Sequence, residues 1–395
     1  MIETMVFEDP HEVNEKLSKF GVSRKELQSI ALDAVSARSE FNSSRLTLAR
    51  KRRSLSGKDL ANLTGLTAVH ISRIEKDKAD NLEQSTINAL SEALGFPPEF
   101  FFGNDIDTPS KDDASFRSLT AMTARERDAA LSASSFAYLV SDWVSERFNL
   151  PEVDLIDLSC EREPDSAASL LRSYWGLGEK PINNVIKLLE SKGIRVFSLS
   201  ENTKNVDAYS CWRNGIPYIF LNTYKTSERS RFDALHELGH LVLHRHGKAQ
   251  GREAEREANK FASYFLIPSV DLMARIPFVT SLKQLIKAKK RWGVSVSALA
   301  YRLHKTETIT DWQYRTFCIQ INKNYKNSEP NGLERETSIV WEKVFRELWK
   351  DGQTRSCIAK DLALPEKEIE TLMFGLIGKT NPGNAGKPKL KLVEK

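Results

Sequence analysis

The pattern of apolar and polar positions predicts two helical regions with a short alternating stretch between them. In residues 44–103 the apolar positions fall at helical spacing. Leu46 and Ala49 mark one short helix, and Leu60 and Ala61 mark a second that starts at Ser56. Ile71 and Ile74 mark a third over Ala68–Lys76, which Thr67 can cap. Thr64-Gly65-Leu66 reads as the tight turn between the second and third, with Leu66 in the same small core. The aromatic run from Gly95 to Gly103 closes this bundle. Residues 1–40 read as a helical extension, with Ser23-Arg-Lys-Glu26 as a capping box, and the polar stretch 104–114 as a linker.

Ser115 to Leu158 reads as helical, with Trp143 as a packing anchor, followed by amphipathic helices over Ser166–Trp175 and Ile182–Lys192. The period then changes. Ile194–Leu199, Ala208–Trp212 and Tyr218–Leu221 read as strands, with Arg213–Pro217 as a hairpin turn between the last two. An edge strand of this sheet, placed at Tyr218–Leu221, can hold an extended segment by backbone pairing. Helical spacing returns in Arg231–His244, where Phe232, Leu235, Leu238, Leu241 and Val242 form an apolar face and Gly239 leaves room for a close neighbour. A further helix from Gly251 ends at Pro268, with Ala258, Phe261, Ala262 and Phe265 placed to pack on the previous one. Leu282–Trp292 and Val296–His304 flank a Gly293-Val-Ser295 turn at helix-turn-helix spacing, and Cys357–Leu372 repeats that spacing more faintly; both read as helix packing or dimerisation, with DNA contact as the alternative. The Gly-, Pro- and Lys-rich tail from Gly378 reads as disordered.

Composition alters this picture little. The 395 residues suffice for two or three domains with their own cores. The 58 basic and 53 acidic residues leave a net charge of +5, too mild to identify a nucleic-acid binder. The local distribution is more telling, since residues 45–80 carry nine basic against four acidic side chains. Ala68, Val69, His70, Ser72 and Arg73 form the face of the third helix expected at base edges, and Arg50, Arg52 and Arg53 the cluster expected at phosphates. The four cysteines (Cys160, Cys211, Cys318, Cys357) lie far apart, which fits a reducing cytosol. Neither a leader peptide nor a membrane span is expected, so the reading is cytoplasmic.

The chemistry concentrates in His236-Glu237-Leu238-Gly239-His240, an HExxH motif. Helical residues four apart share a face, so the two imidazoles can bind one Zn2+. Glu237, free of the metal, can act as general base on a water beside it. A third ligand at His246 would need a glycine at Leu243 to turn the chain, which disfavours both His244 and His246. Glu255 is a better candidate, with Asn259 one turn further as a hydrogen-bonding support; Glu253 and Glu257 compete with it by chemistry, and spacing does not separate them.

His236–His240, followed by Glu255-x-x-Ala-Asn-x-Phe-Ala262 and Pro268, resembles the ImmA/IrrE family of zinc metallo-endopeptidases. The resemblance implies that Glu255 is the third ligand. Residues 44–103, with the turn at Thr64–Leu66, resemble helix-turn-helix repressors of the XRE/Cro/cI type. Together they imply a mostly helical α+β protein. Its expected parts are an extension (1–40), a helix-turn-helix bundle (41–105), a zincin-like peptidase domain with a small sheet (115–275), a helix-turn-helix-like segment (276–322), a helical C-terminal region (323–377) and a tail (378–395). The implied function is a regulator on double-stranded operator DNA, expected as a homodimer, with a fused zinc endopeptidase that cleaves a repressor or antitoxin-like protein. The alternative is a transcription factor whose peptidase-like domain only senses or dimerises.

Overall fold

The computed structural model describes residues 40–78, 82–109, 115–116 (backbone only), 123–199, 208–246, 251–325 and 328–377. The capping box at Ser23–Glu26 and the tail from Gly378 lie outside them. The chain divides into two compact units, with the boundary near Asp105 and with Lys51–Ser54 grouped in the second.

The first unit contains α1 (Ser43–Arg52), α2 (Gly57–Thr64), α3 (Ala68–Glu75), α4 (Gln84–Leu94) and a 3-10 turn at Pro98–Phe102. Local chemistry sets the boundaries. Ser56 and Asp59 form a reciprocal capping box at the start of α2. Gly65, with φ 72°, ends α2 in the left-handed conformation, and Thr67 accepts a hydrogen bond from the His70 amide to open α3. Leu46, Leu60, Ile71, Ile74, Leu90 and Phe100 fill the core. Leu66, expected in that core, is half-buried.

In the second unit, α5 (Ala124–Arg147), α6 (Pro164–Tyr174) and α7 (Val185–Ser191) precede three main strands, β2 (Arg195–Leu199), β3 (Ala208–Arg213) and β4 (Ile216–Asn222). A two-residue strand, β1 (Ser115–Phe116), completes the sheet in the order β1-β3-β4-β2. Asn214 and Gly215 both take positive φ, the conformation that a two-residue hairpin between β3 and β4 requires. After the sheet come α8 (Ser227–Leu243), α9 (Arg252–Leu266), α10 (Ser269–Arg275), α11 (Leu282–Ala288), α12 (Val296–Lys305), α13 (Asp311–Tyr325), α14 (Ile339–Lys350), α15 (Arg355–Asp361) and α16 (Glu366–Met373).

Strand alternation builds the layers. On β3 the Tyr209 hydroxyl donates to the Ala130 carbonyl of α5, and Cys211 meets the Tyr138 hydroxyl of α5 at 3.0 Å. The intervening Ser210 points the other way, to Glu237 on α8. The sheet therefore lies between α5 on one face and α8 on the other, and α9 packs along α8.

Two expectations are corrected. β4 is not an edge: it pairs antiparallel with β3 and parallel with β2, so both its sides are occupied. The helical reading from Ser115 to Leu158 fails at both ends. Ser115 and Phe116 pair with Tyr209 and Ser210 of β3, and α5 ends at Arg147. Trp143 does anchor α5, buried and donating its indole N–H to Asp361 at 2.9 Å.

Candidate functional site

Thr226 caps α8, the helix that carries the HExxH motif, by accepting from the Arg229 amide. Nearly all of that helix is buried because it is covered by the sheet and by α9. The approach to α9 is close: a Cβ on Gly239 would stand 3.1 Å from Phe261 and 3.2 Å from the Ala258 Cα. Ala258, Phe261, Ala262 and Phe265, the face expected to pack here, are fully buried.

This packing brings three donors together. His236 Nε2 and His240 Nε2 are 3.1 Å apart. Glu255 Oε2 lies 3.3 Å from the first, and Oε1 lies 3.4 Å from the second. Two ligands about 2.05 Å from a tetrahedral zinc stand about 3.3 Å apart, so the donor set fits that ion. Both histidines are buried, and the Glu255 side chain is 27% exposed. Burial pushes the His240 imidazole down to about 4, against the opposing pull of Glu255, which favours the neutral ring that a metal needs. Burial raises the Glu255 carboxyl, but hydrogen bonds and charge from His236 and His240 outweigh it and hold the group well below its ordinary value.

The other sequence candidates fall into place around this cluster. Glu253 is exposed and paired with Arg256 at 2.5 Å. Glu257 pairs with His244, and the exposed His246 pairs with Asp157. Asn259 lines the same groove as Glu255, and among the described residues no hydrogen bond joins it to a ligand. That groove, about 1880 Å³, runs between α9 and the α12–α13 pair, with Phe232, Tyr264, Tyr301 and Arg302 in its wall. Glu237 is 1% exposed, and Ser210 Oγ donates to its Oε2 at 2.8 Å. Sequence reasoning did not single out Ser210. Nothing in the local pattern marks it: the strand carries two hydroxyls, Tyr209 and Ser210, and only the fold shows that Ser210 meets Glu237.

In the first unit, Ala68, Val69 and Arg73 are exposed on α3 and His70 and Ser72 are half-buried. Val69 is 65% exposed. The three arginines expected at phosphates are engaged within the protein. Arg50 makes a two-pronged pair with Glu75 at 2.6 and 3.0 Å and also donates to the Leu55 carbonyl. Arg52, in the Lys51–Ser54 stretch that groups with the second unit, pairs with Glu368 there at 2.8 Å, and Arg53 pairs with the same carboxylate.

The geometry defines a helix-turn-helix DNA-binding module and a domain with a metallopeptidase-type donor set. Comparison with known families agrees. Residues 46–101 match the helix-turn-helix family, and residues 189–304 match the IrrE N-terminal-like domain family. No curated protein matches the chain. The chain therefore carries an XRE-type helix-turn-helix domain over 46–101 and an ImmA/IrrE-like, metallopeptidase-family domain over 189–304. Among the described residues no helix is long and apolar enough to cross a membrane.

Proposed function

We propose that the protein is a DNA-binding regulator whose second unit is a zinc endopeptidase acting on a repressor or antitoxin-like protein. The observation that carries this reading is the convergence of His236, His240 and Glu255 at tetrahedral spacing. Bound zinc would polarise the scissile carbonyl and lower the pKa of a water beside it. The chain's own residues do the rest. His236, His240 and Glu255 would hold the ion, and Glu237, held toward β3 by Ser210, is the general base that would accept a proton at its carboxylate and return it to the leaving amine. The Asn259 side chain, facing the same groove as Glu255, is available to a bound segment.

The substrate path differs from the sequence expectation. β4 is closed on both sides, and the outer side of β3 beside Ser210 carries Ser115 and Phe116. In this reading the groove along α9, beside Glu255, takes the extended segment. On the first unit, the exposed face of α3 would read the operator through His70, Ser72 and Arg73, with Ala68 and Val69 in contact.

The test compares new protein N-termini in cells carrying wild type with those carrying Glu237→Gln, under phage infection or DNA damage. Glu237→Gln should keep one zinc per chain and produce no cleavage. His240→Ala and Glu255→Ala should lose the zinc, read by metal analysis of purified protein. Identical N-termini in both strains, with zinc bound, would favour the sensing role without turnover. Full zinc stoichiometry and affinity in Glu255→Ala would remove that residue from the ligand set.

A further inference from the structure

The helix bearing the two histidines places a third one turn further on. His244 is set aside as a ligand by its position, and the mechanism above gives it no work. Its environment is nonetheless specific. The side chain is 9% exposed, and both ring nitrogens have partners. Nδ1 lies 3.0 Å from Nδ1 of His240, and Nε2 lies 2.9 Å from Oε2 of Glu257 on α9. The two imidazoles sit 5.1 Å apart, centroid to centroid, inclined at 50°.

We propose that His244 and Glu257 are positioning residues that fix the ring orientation and tautomer of His240 so that its Nε2 lone pair faces the metal. This rests on the zinc reading above. With a single proton on the His244 ring, one arrangement fits the three neighbouring groups. Glu257 as a carboxylate only accepts, so the proton between it and His244 belongs to His244 Nε2. A neutral His244 then has its lone pair on Nδ1. Two imidazole nitrogens 3.0 Å apart attract only if one carries a proton, so His240 Nδ1 donates to His244 Nδ1. His240 Nε2 is thereby left unprotonated, on the side where His236 Nε2 and Glu255 converge.

Histidine ligands commonly donate their second N–H to a carboxylate or carbonyl, which raises their basicity and fixes their orientation. Here a rigid imidazole stands between the ligand and the carboxylate. His236 has no equivalent support, because its Nδ1 is buried without a hydrogen-bond partner among the described residues. The preorganisation of the two-histidine pair therefore falls on the chain through His244. That His244 is itself a ligand is excluded by geometry: both its nitrogens are used, and it lies outside the donor cluster.

The experiment measures zinc affinity of full-length protein by competition with a chromophoric chelator at fixed pH. Wild type is compared with His244→Ala, His244→Gln, Glu257→Ala and Glu253→Ala, with circular dichroism to verify folding. His244→Ala should bind zinc about 10- to 100-fold more weakly while keeping one ion per chain at saturation. His244→Gln, which keeps an acceptor in reach of His240, should recover part of that loss. Glu257→Ala removes a partly exposed side chain and should weaken binding severalfold even if His244→Ala fails to fold. Glu253→Ala, on the same helix but outside the chain, should bind as wild type does. Long-range 1H–15N spectra of zinc-loaded wild type should show His244 protonated on Nε2 alone. Tight zinc binding by wild type with equal affinity in folded His244→Ala and Glu257→Ala would overturn the inference and leave the zinc reading standing. So would a His244 proton found on Nδ1. Wild type that takes up no zinc would overturn both.

Discussion

His240 bears much of the electrostatic strain of the cluster. Its ring is enclosed, and burial holds its pKa near 4, against 6.5 for an exposed histidine. A depressed folded-state value means that the unfolded chain takes up a proton that the folded chain resists. The sign follows: the contribution to stability is complete above pH 6.5 and is lost as pH falls from 6.5 toward 4. One such proton gives a slope of at most about 1.4 kcal/mol per pH unit. Glu255, whose carboxyl is also depressed, acts in the same direction at lower pH, since its contribution is present above the ordinary carboxylate value and lost below it. Chelator-treated protein should therefore show urea midpoints that are flat from pH 8 to 7 and fall steadily below 6.5. His240→Gln should flatten the upper part of that fall. A metal-free wild type with equal midpoints at pH 7 and pH 5 would show that the ring is not held neutral by burial.

At the scale of elements, the site depends on how closely α8 and α9 approach. Gly239 sets that distance, because a methyl group there would press on Phe261 and on the backbone at Ala258. Gly239→Ala should cost about 1–3 kcal/mol through overpacking and should weaken zinc binding by moving Glu255 away from the histidines. Thermal unfolding and chelator competition read the two effects separately, and an unchanged value in both would mean that the helices have slack. The sequence showed this pair of helices clearly. The four-residue spacing of His236 and His240, the apolar faces and the small Gly239 are local properties. Sheet order was less legible. Nothing in Tyr218–Leu221 tells that a later strand in the chain lies at the centre, because the parallel partner β2 and the antiparallel partner β3 are both chosen by tertiary packing. Nor could spacing choose among Glu253, Glu255 and Glu257; the choice is made by the rotation of α9 against α8. The pairing of Ser210 with Glu237 joins residues 27 positions apart, and no period announces it.

At the scale of the whole molecule, two chemistries share one chain and draw on separate residues. The face proposed to read the operator is on α3, and the donor cluster is on α8 and α9. Changes at one should therefore be silent at the other. Arg73→Ala, in the full-length protein, should weaken operator binding, lower the discrimination against mismatched sites by about 1–3 kcal/mol, and leave zinc content untouched. Glu237→Gln should bind the same operator with wild-type affinity. Arg50, expected at phosphates, has partners within the protein. Arg50 is mostly enclosed, and its guanidinium is held by both oxygens of Glu75 and by a carbonyl. Its removal would leave Glu75 without its principal partner in a half-buried place, a change that acts on folding. Arg50→Ala should thus lower the unfolding free energy of the first unit by about 1–3 kcal/mol, and the salt dependence of operator binding should keep its slope. A phosphate contact would behave in the opposite way, with stability unchanged and the slope of log K against log salt reduced by about one. Salt titrations of Arg50→Ala and Arg73→Ala, run beside thermal unfolding of the same samples, distinguish the two roles. A reduced slope with an unchanged midpoint for Arg50→Ala would return that residue to the DNA.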